Sequence, residues 1–209
     1  MRSLYVPRGR EPQWSGATWC ERLPSLSCAS ATLRELQTAD APMLLAHLAS
    51  EEVSRYISPP PSSIEGFERF IHWAHRERVA GEYACFAVVP DGIDHAVGLF
   101  QVRSIEVGFA TAEWGFVMGS AYWGSGLFVD AADAVLEFSF EAIGIQRLEA
   151  RAAVINARGN GALRKLGAVQ EAVLRRSFKR GGQFFDQTLW SILADDWRAH
   201  RALSVPHVH

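Results

Sequence analysis

The chain contains two adjoining segments with strong structural signals, Glu113-Trp114-Gly115-Phe116-Val117-Met118-Gly119 and Tyr122-Trp123-Gly124-Ser125-Gly126-Leu127-Phe128. In the first, large apolar side chains alternate with other residues, which is typical of a mostly buried strand. Gly115 inside it indicates a bulge or a close approach to the backbone. The stretch as a whole predicts a strand, a glycine loop and the start of a helix.

The residues after the glycines predict a buried helix with one polar stripe. Asp130, Asp133, Glu137 and Glu141 are spaced three, four and four apart, and almost everything between them is apolar. Gly144 is suited to a left-handed cap at the carboxyl end. We therefore predict a helix over residues 127–143.

A glycine loop that opens a helix can present backbone N–H groups and the positive end of the helix dipole to phosphate oxygens. A G-x-G alone is equally typical of a simple tight turn. The chain has no G-x-x-x-x-G-K-[ST] motif, and the loop has no G-x-S-x-G. A dinucleotide fingerprint also fails, because its third glycine would fall at Val129.

Hydrophobic periodicity and turn residues predict the remaining elements. Thr38 is expected to cap the first helix, and Ser62 to Glu65 to form a capping box for the second. The predicted order is strand, two helices, three strands, helix, strand, helix and two strands. The predicted ranges are strands 31–36, 83–89, 95–103, 108–119, 147–156, 169–178 and 183–193, with further helices at 39–49 and 157–166 and a turn from 195.

Composition indicates one ordinary globular domain, with 48% hydrophobic residues and a net charge of −2 among 209 residues. This balance gives no argument for binding nucleic acid. Three scattered cysteines predict neither disulfides nor a metal site. No segment resembles a membrane span or signal peptide, so we expect a cytoplasmic protein. We divide the chain into an extension (1–30), a domain (31–199) and a tail (200–209).

Five motifs in order resemble the GCN5-related N-acetyltransferases (the GNAT superfamily), in particular the branch of the ribosomal-protein acetyltransferases RimJ and RimL. They are Glu113 to Phe116, Tyr122 to Gly126, Gln146-Arg147-Leu148-Glu149-Ala150, Asn156, and Leu163-Arg164-Lys165-Leu166-Gly167. The resemblance covers roughly residues 33–197. It implies an α+β fold with a mostly antiparallel, splayed sheet of six to seven strands flanked by helices.

In this family, acetyl-CoA lies as the acyl donor between the two strands that splay apart. The resemblance implies that the backbone of Phe116, Val117 and Met118 follows the pantetheine and that Asn156 lies near the pantetheine arm. It also implies that loop amides bind the pyrophosphate, namely those of Trp123, Gly124, Ser125, Gly126 and Leu127. The resemblance also implies a homodimer, and it implies no metal ion.

The predicted reaction is direct transfer of an acetyl group from acetyl-CoA to a primary amine, because no Cys or Ser nucleophile has a supporting triad. The acceptor is either a protein N-terminus or a small molecule such as an antibiotic. A non-catalytic acyl-CoA sensor is the alternative from another class. The family's serine is Gly159 here, and the tyrosine that protonates the leaving thiolate in many members is Leu163. Either Asn160 donates a hydrogen bond to the thiolate instead, or water protonates it.

Glu113 is the one acidic residue at the start of the apolar strand, two residues before Gly115. An ammonium must lose a proton before it can attack a thioester, and a carboxylate in this position could accept that proton or orient the amine. The structural alternative is an ion pair with Arg103 or Arg151. The sequence leaves both interpretations open.

Overall fold

The computed structural model describes residues 18–106, 108 and 110–204. Its centre is a sheet of eight strands in the order β1-β2-β3-β4-β5-β6-β8-β7. The strands are β1 Leu26–Ser27, β2 Ala31–Glu35, β3 Tyr83–Pro90, β4 Gly98–Ser104, β5 Thr111–Met118, β6 Arg147–Ala153, β7 Val169–Arg180 and β8 Gln183–Leu193.

Six α-helices flank the described sheet, and a π-helical segment, Phe138–Ile143, continues the fourth. Gly144 ends this continuous helix in the left-handed conformation at φ 86°, as predicted. The helices are α1 Ala41–Leu48, α2 Glu51–Ser54, α3 Ile64–Val79, α4 Leu127–Glu137, α5 Ala157–Lys165 and α6 Ala194–Ser204.

The sheet splays between β5 and β6, which form its one parallel pair among the described strands. Their pairing extends from Thr111 opposite Arg147 to Glu113 opposite Glu149. Beyond that point β5 stays paired with β4 up to Met118, and β6 stays paired with β8. The two strands therefore separate and open a wedge at the carboxyl end of β5.

Helices cover both faces of the sheet. Strand β3 is therefore buried on both sides, which explains why its sequence is apolar throughout. Phe86 belongs to the cluster that packs under α4, where its ring meets Phe138 edge-on at 5.0 Å between centroids. The next residue, Ala87, belongs to the opposite cluster, which α1 and α3 close with side chains such as Leu44 and Phe67. Alternate residues of a strand point to opposite faces, so both sets are buried.

The prediction of six to seven strands was too low, because the two-residue strand β1 pairs with β2. A pair of residues carries no detectable period, so the sequence could not indicate it. Trp19, Leu23 and Leu26 are buried in the main cluster, so residues 18–30 pack with the domain. The chain remains helical through Ser204. The boundaries at 30 and 199 stay predictions, and residues 1–17 and 205–209 lie outside the described part.

Two predicted helix caps were wrong in detail. Ser63, not Ser62, caps α3, and its Oγ accepts the amide N–H of Gly66 at 3.0 Å. Gln37 precedes the first helical turn in place of Thr38, and its N–H donates to Asp40 Oδ2 at 2.8 Å. Adjacent polar residues compete for such positions, so the sequence fixes these helix starts only to within a residue.

Candidate active site

A cavity of about 940 Å³ occupies the wedge between β5 and α5. Its walls come from α2 with the following loop, from the end of β5, from the glycine loop with the start of α4, and from α5. The lining residues are Glu51, Glu52, Val53, Arg55, Tyr56, Ile57, Phe116, Val117, Met118, Trp123, Gly124, Gly126, Phe128, Val129, Asn156, Ala157, Arg158, Gly159, Gly161, Ala162 and Lys165.

The glycine loop exposes donors to this cavity. Gly124 and Gly126 adopt φ 78° and 90°, a left-handed conformation that residues with a Cβ rarely take. Within the described chain, the amide N–H groups of Gly124, Ser125 and Gly126 donate to no protein acceptor. They lie next to the amino terminus of α4, whose dipole adds positive potential. Such a loop can bind phosphate oxygens.

Two of the predicted loop amides are already engaged by protein atoms. The N–H of Trp123 donates to the Ser120 carbonyl at 3.2 Å, and that of Leu127 donates to Ser125 Oγ at 3.3 Å. Leu127 is buried in the core, and neither it nor Ser125 lines the cavity. The Ser125 amide stays a candidate donor because it lies between the two lining glycines and donates to no described acceptor. The donors available to a phosphate therefore narrow to residues 124–126.

The end of β5 forms a wall of the cavity through Phe116, Val117 and Met118. That their backbone follows the pantetheine stays a prediction. The Met118 carbonyl accepts the Trp123 indole N–H at 2.9 Å. Gly115 leaves room for Gln101, whose Nε2 would lie 2.9 Å from a Cβ added at that glycine. The close approach predicted at Gly115 is therefore made by a neighbouring side chain.

Asn156 begins α5 on the opposite wall. Its Oδ1 accepts the amide N–H of Gly159 at 2.9 Å, so the side chain caps the helix where it lines the cavity. A Cβ at Gly159 would lie 2.5 Å from Asn156 Nδ2. In this conformation a larger residue at 159 would therefore require the Asn156 amide to move.

Asn160 does not serve the role that the sequence suggested for it. The side chain is buried, and Nδ2 donates to the carbonyls of Ala153 and Asn156 at 2.8 Å each. Its Oδ1 accepts the Trp190 indole N–H at 2.9 Å. These bonds link α5 to β6 and β8, and Asn160 is absent from the cavity wall. We interpret Asn160 as a structural residue and withdraw it as a donor to the thiolate.

Glu113 also lies outside the cavity wall. Its carboxylate is 3.4 Å from Arg103 Nη2 and 3.8 Å from Arg151 Nη1, so it bridges the two arginines. The side chain is 26% exposed. Of the two interpretations left open by the sequence, the geometry favours the ion pair over the general base.

We expect Glu113→Gln to keep turnover within about 3-fold of wild type, because the carboxylate does not reach the cavity and exposed ion pairs contribute little. The measurement is kcat across pH with whichever amine the enzyme accepts best. Glu149→Gln, which changes the carboxylate opposite in register, is the matched control. If kcat instead falls by about 10²-fold in Glu113→Gln alone, and the acidic limb of its pH profile disappears, Glu113 is the general base.

Sequence reasoning missed several cavity residues that carry charge or a transferable proton. Glu51 and Glu52 line the cavity from α2, where the predicted loop boundaries concealed a short helix. Tyr56 follows them on the same wall, and Arg158 and Lys165 lie on α5. The side of each helix that faces the cavity depends on tertiary packing. Only the 3.6-residue spacing of Arg158 and Lys165, seven apart, could have indicated a shared face.

None of the three cysteines can serve as an acyl-accepting nucleophile in this cavity. Burial raises the pKa of the Cys85 thiol to about 12, and burial also raises the pKa of Cys20 and of Cys28. A thiol attacks as its thiolate, which these shifts disfavour at neutral pH. The cysteines also lie outside the cavity wall.

The chain belongs to the acetyltransferase (GNAT) domain family, whose model matches residues 31–169. It is therefore an acyltransferase, and the family predicted from the motifs is confirmed. The α+β fold with a mostly antiparallel, open sheet and flanking helices is confirmed as well, with the eighth strand as the correction.

Relatives and solved structures agree with this assignment. An uncharacterized N-acetyltransferase, p20 of Bacillus licheniformis, is 23% identical over 167 residues, covering 79% of this chain and 94% of its own. Mycobacterium smegmatis RimJ in complex with CoA-disulfide is similar in fold at TM-score 0.77 and 19% identity, covering 87% and 94% of the two chains. The ribosomal-protein-S5-alanine acetyltransferase of Vibrio fischeri is similar in fold at TM-score 0.73 and 19% identity, and the match covers 83% of this chain and 98% of that one.

The residues that the structure describes contain neither a cluster of metal ligands nor a membrane-spanning helix. Across 18–106, 108 and 110–204, no three His, Cys, Asp or Glu side chains are grouped so that they could hold a metal ion. No helix in the same ranges has the length and apolar character needed to cross a membrane.

Proposed function

We propose that this enzyme transfers the acetyl group of acetyl-CoA to a primary amine by direct attack in a ternary complex. The observation that carries the proposal is the glycine loop with its unoccupied amide donors, which opens into the same cavity as the splayed end of β5. A pyrophosphate on the loop would allow the pantetheine to run along residues 116–118 toward the acceptor.

The chemistry requires little from the protein beyond positioning. The amine loses a proton, its nitrogen bonds to the thioester carbonyl carbon, and the carbon–sulfur bond breaks to release the CoA thiolate. That thiolate then takes a proton. Tyr56 and Lys165 are the cavity residues with a transferable proton, and water is the other source.

The acceptor end of the cavity is acidic. Glu51 and Glu52 on α2 are both exposed, and the one cation among the lining residues of this wall, Arg55, lies 3.9 Å from Glu51, so one carboxylate remains in excess. Negative potential there attracts an ammonium group as it approaches. A cationic amine is therefore the proposed acceptor class, and we propose the N-terminal amine of a protein as its most specific member.

A CoA-release screen tests this function. Purified protein is incubated with acetyl-CoA and either peptides with free N-termini, polyamines, aminoglycosides or free amino acids, and the liberated thiol is measured. Acetyl-dependent release with peptide N-termini is the expected result. Release with small amines alone would assign a small-molecule acceptor, and binding of acetyl-CoA without release to any amine would assign a sensor.

A homodimer is also proposed, from the family resemblance and from the exposed apolar residues on β7. Val169 and Val173 are 56% and 50% exposed on this strand, which forms the edge of the described sheet. Light scattering at micromolar concentration is expected to give about twice the chain mass of 23.1 kDa. A monomeric mass would dispose of the dimer. The cytoplasmic location likewise stays a prediction.

A further inference from the structure

Arg158 and Trp123 meet across the mouth of the wedge. The guanidinium carbon of Arg158 on α5 lies 3.5 Å from the centroid of the Trp123 ring in the loop before α4. Both residues line the cavity, so this contact joins its two walls. Cation–π contacts of this kind favour arginine because its planar group can lie on the ring.

The charge of Arg158 has no carboxylate partner within the part of the chain that the structure describes. No ion pair or hydrogen bond from its guanidinium to a described residue accompanies the ring contact. A guanidinium that lies on a ring keeps the N–H groups along its edge available to an anion. The residue therefore presents a cation and several donors at the cavity wall.

The indole of Trp123 is itself held in place. Its Nε1 donates to the Met118 carbonyl at 2.9 Å, which ties the ring to the end of β5. The backbone continues from this residue directly into Gly124, the first of the loop amides that lack a protein acceptor. The ring thus holds the Arg158 charge next to the three donors of the glycine loop.

We propose that Arg158, positioned by stacking on Trp123, binds the pyrophosphate of the acyl donor together with the amides of residues 124–126. A cation and amide donors at the wall of one cavity suit a diphosphate better than any neutral ligand. The inference rests on the proposed function, because it assumes that the donor is acetyl-CoA. It assigns the α5 wall an electrostatic role in addition to shaping the cavity.

The test compares acetyl-CoA with a donor that lacks only the 3′-phosphate and with one that lacks the adenosine and all of the phosphates. Arg158→Ala is expected to weaken acetyl-CoA binding by about 10-fold or more, measured by calorimetry. The same fold-loss is expected with acetyl-3′-dephospho-CoA, which keeps the pyrophosphate. With acetyl-pantetheine, which has no phosphate, the variant and wild type are expected to agree within about 2-fold in displacing labelled acetyl-CoA.

Arg164→Ala is the matched control, because Arg164 lies on the same helix, 5.4 Å from the Trp190 ring, and does not line the cavity. It should leave all three affinities unchanged. Trp123→Leu should weaken acetyl-CoA binding, and its effect should be far from additive with Arg158→Ala, because each change removes the same contact.

The outcomes separate the inference from the proposed function. Wild-type protein that binds no acetyl-CoA would overturn the proposed function. If wild type binds but Arg158→Ala binds equally well, the pyrophosphate role alone is wrong. An effect that disappears with the 3′-dephospho donor would overturn that role as well, because Arg158 would then bind the 3′-phosphate. An equal loss with acetyl-pantetheine would show a purely structural contact.

Discussion

Gly126→Leu should weaken acetyl-CoA binding by roughly 100-fold or more while the fold survives. A leucine Cβ at this residue would extend into open space, since no heavy atom lies within 4 Å of its position. That space is where a pyrophosphate must approach the amides of residues 124–126. The side chain therefore displaces the ligand without clashing with the protein. Calorimetric titration of folded variant and wild type measures the difference.

The variant also carries a conformational cost, because Gly126 has φ 90° and leucine is strained there. Strain of this kind amounts to about 1–3 kcal/mol of folding free energy. Gly92→Leu is the matched control, since Gly92 has φ 78°, equally open surroundings and a place in the turn after β3. Both variants should lose a comparable amount of folding stability, and only Gly126→Leu should lose affinity for acetyl-CoA. If the two variants bind acetyl-CoA with equal affinity, the glycine loop is not part of the binding site.

Asn160→Ala is expected to lower the free energy of unfolding by about 2–4 kcal/mol. The substitution leaves the buried indole N–H of Trp190 without its acceptor. It also removes one hydrogen bond from each of the carbonyls of Ala153 and Asn156, which keep a backbone N–H partner. Buried polar groups that lose their hydrogen bonds account for most of such a cost. Urea denaturation followed by tryptophan fluorescence and by circular dichroism measures the loss.

Asn156→Ala provides the comparison, because it removes a helix cap that lies at the cavity wall and should cost only about 1 kcal/mol. Donor binding by the folded fraction of Asn160→Ala should remain close to wild type. A variant with wild-type stability and a strongly reduced kcat would instead return Asn160 to the reaction as a proton or hydrogen-bond donor.

The parts of the fold that the sequence predicted well are those with long or distinctive patterns. The acidic stripe from Asp130 to Glu141 marked the buried central helix, and the glycines at 124 and 126 marked the loop before it. Both signals are local, because side-chain period and left-handed turns depend on neighbouring residues. The motifs that resemble the GNAT family then linked these elements to one cavity.

The site assignments that the geometry does not favour depend on contacts between residues far apart in the chain. Asn160 looked available for catalysis because its partner Trp190 lies 30 residues further along. Glu113 looked like an isolated acid in an apolar strand until the folded sheet placed it between Arg103 and Arg151. Arg158 gave no signal beyond its spacing from Lys165, since its position on Trp123 exists only once α5 has packed. Such juxtapositions are properties of the tertiary structure.

The central claim is that acetyl-CoA lies in the wedge with its pyrophosphate on the glycine loop. A crystal structure of the protein with acetyl-CoA tests it most directly. We expect pyrophosphate oxygens within about 3 Å of the amide nitrogens of Gly124, Ser125 and Gly126, with the thioester beyond Val117 toward α2. Acetyl-CoA bound elsewhere on the molecule, or a wedge that stays empty at saturating acetyl-CoA, would contradict the claim.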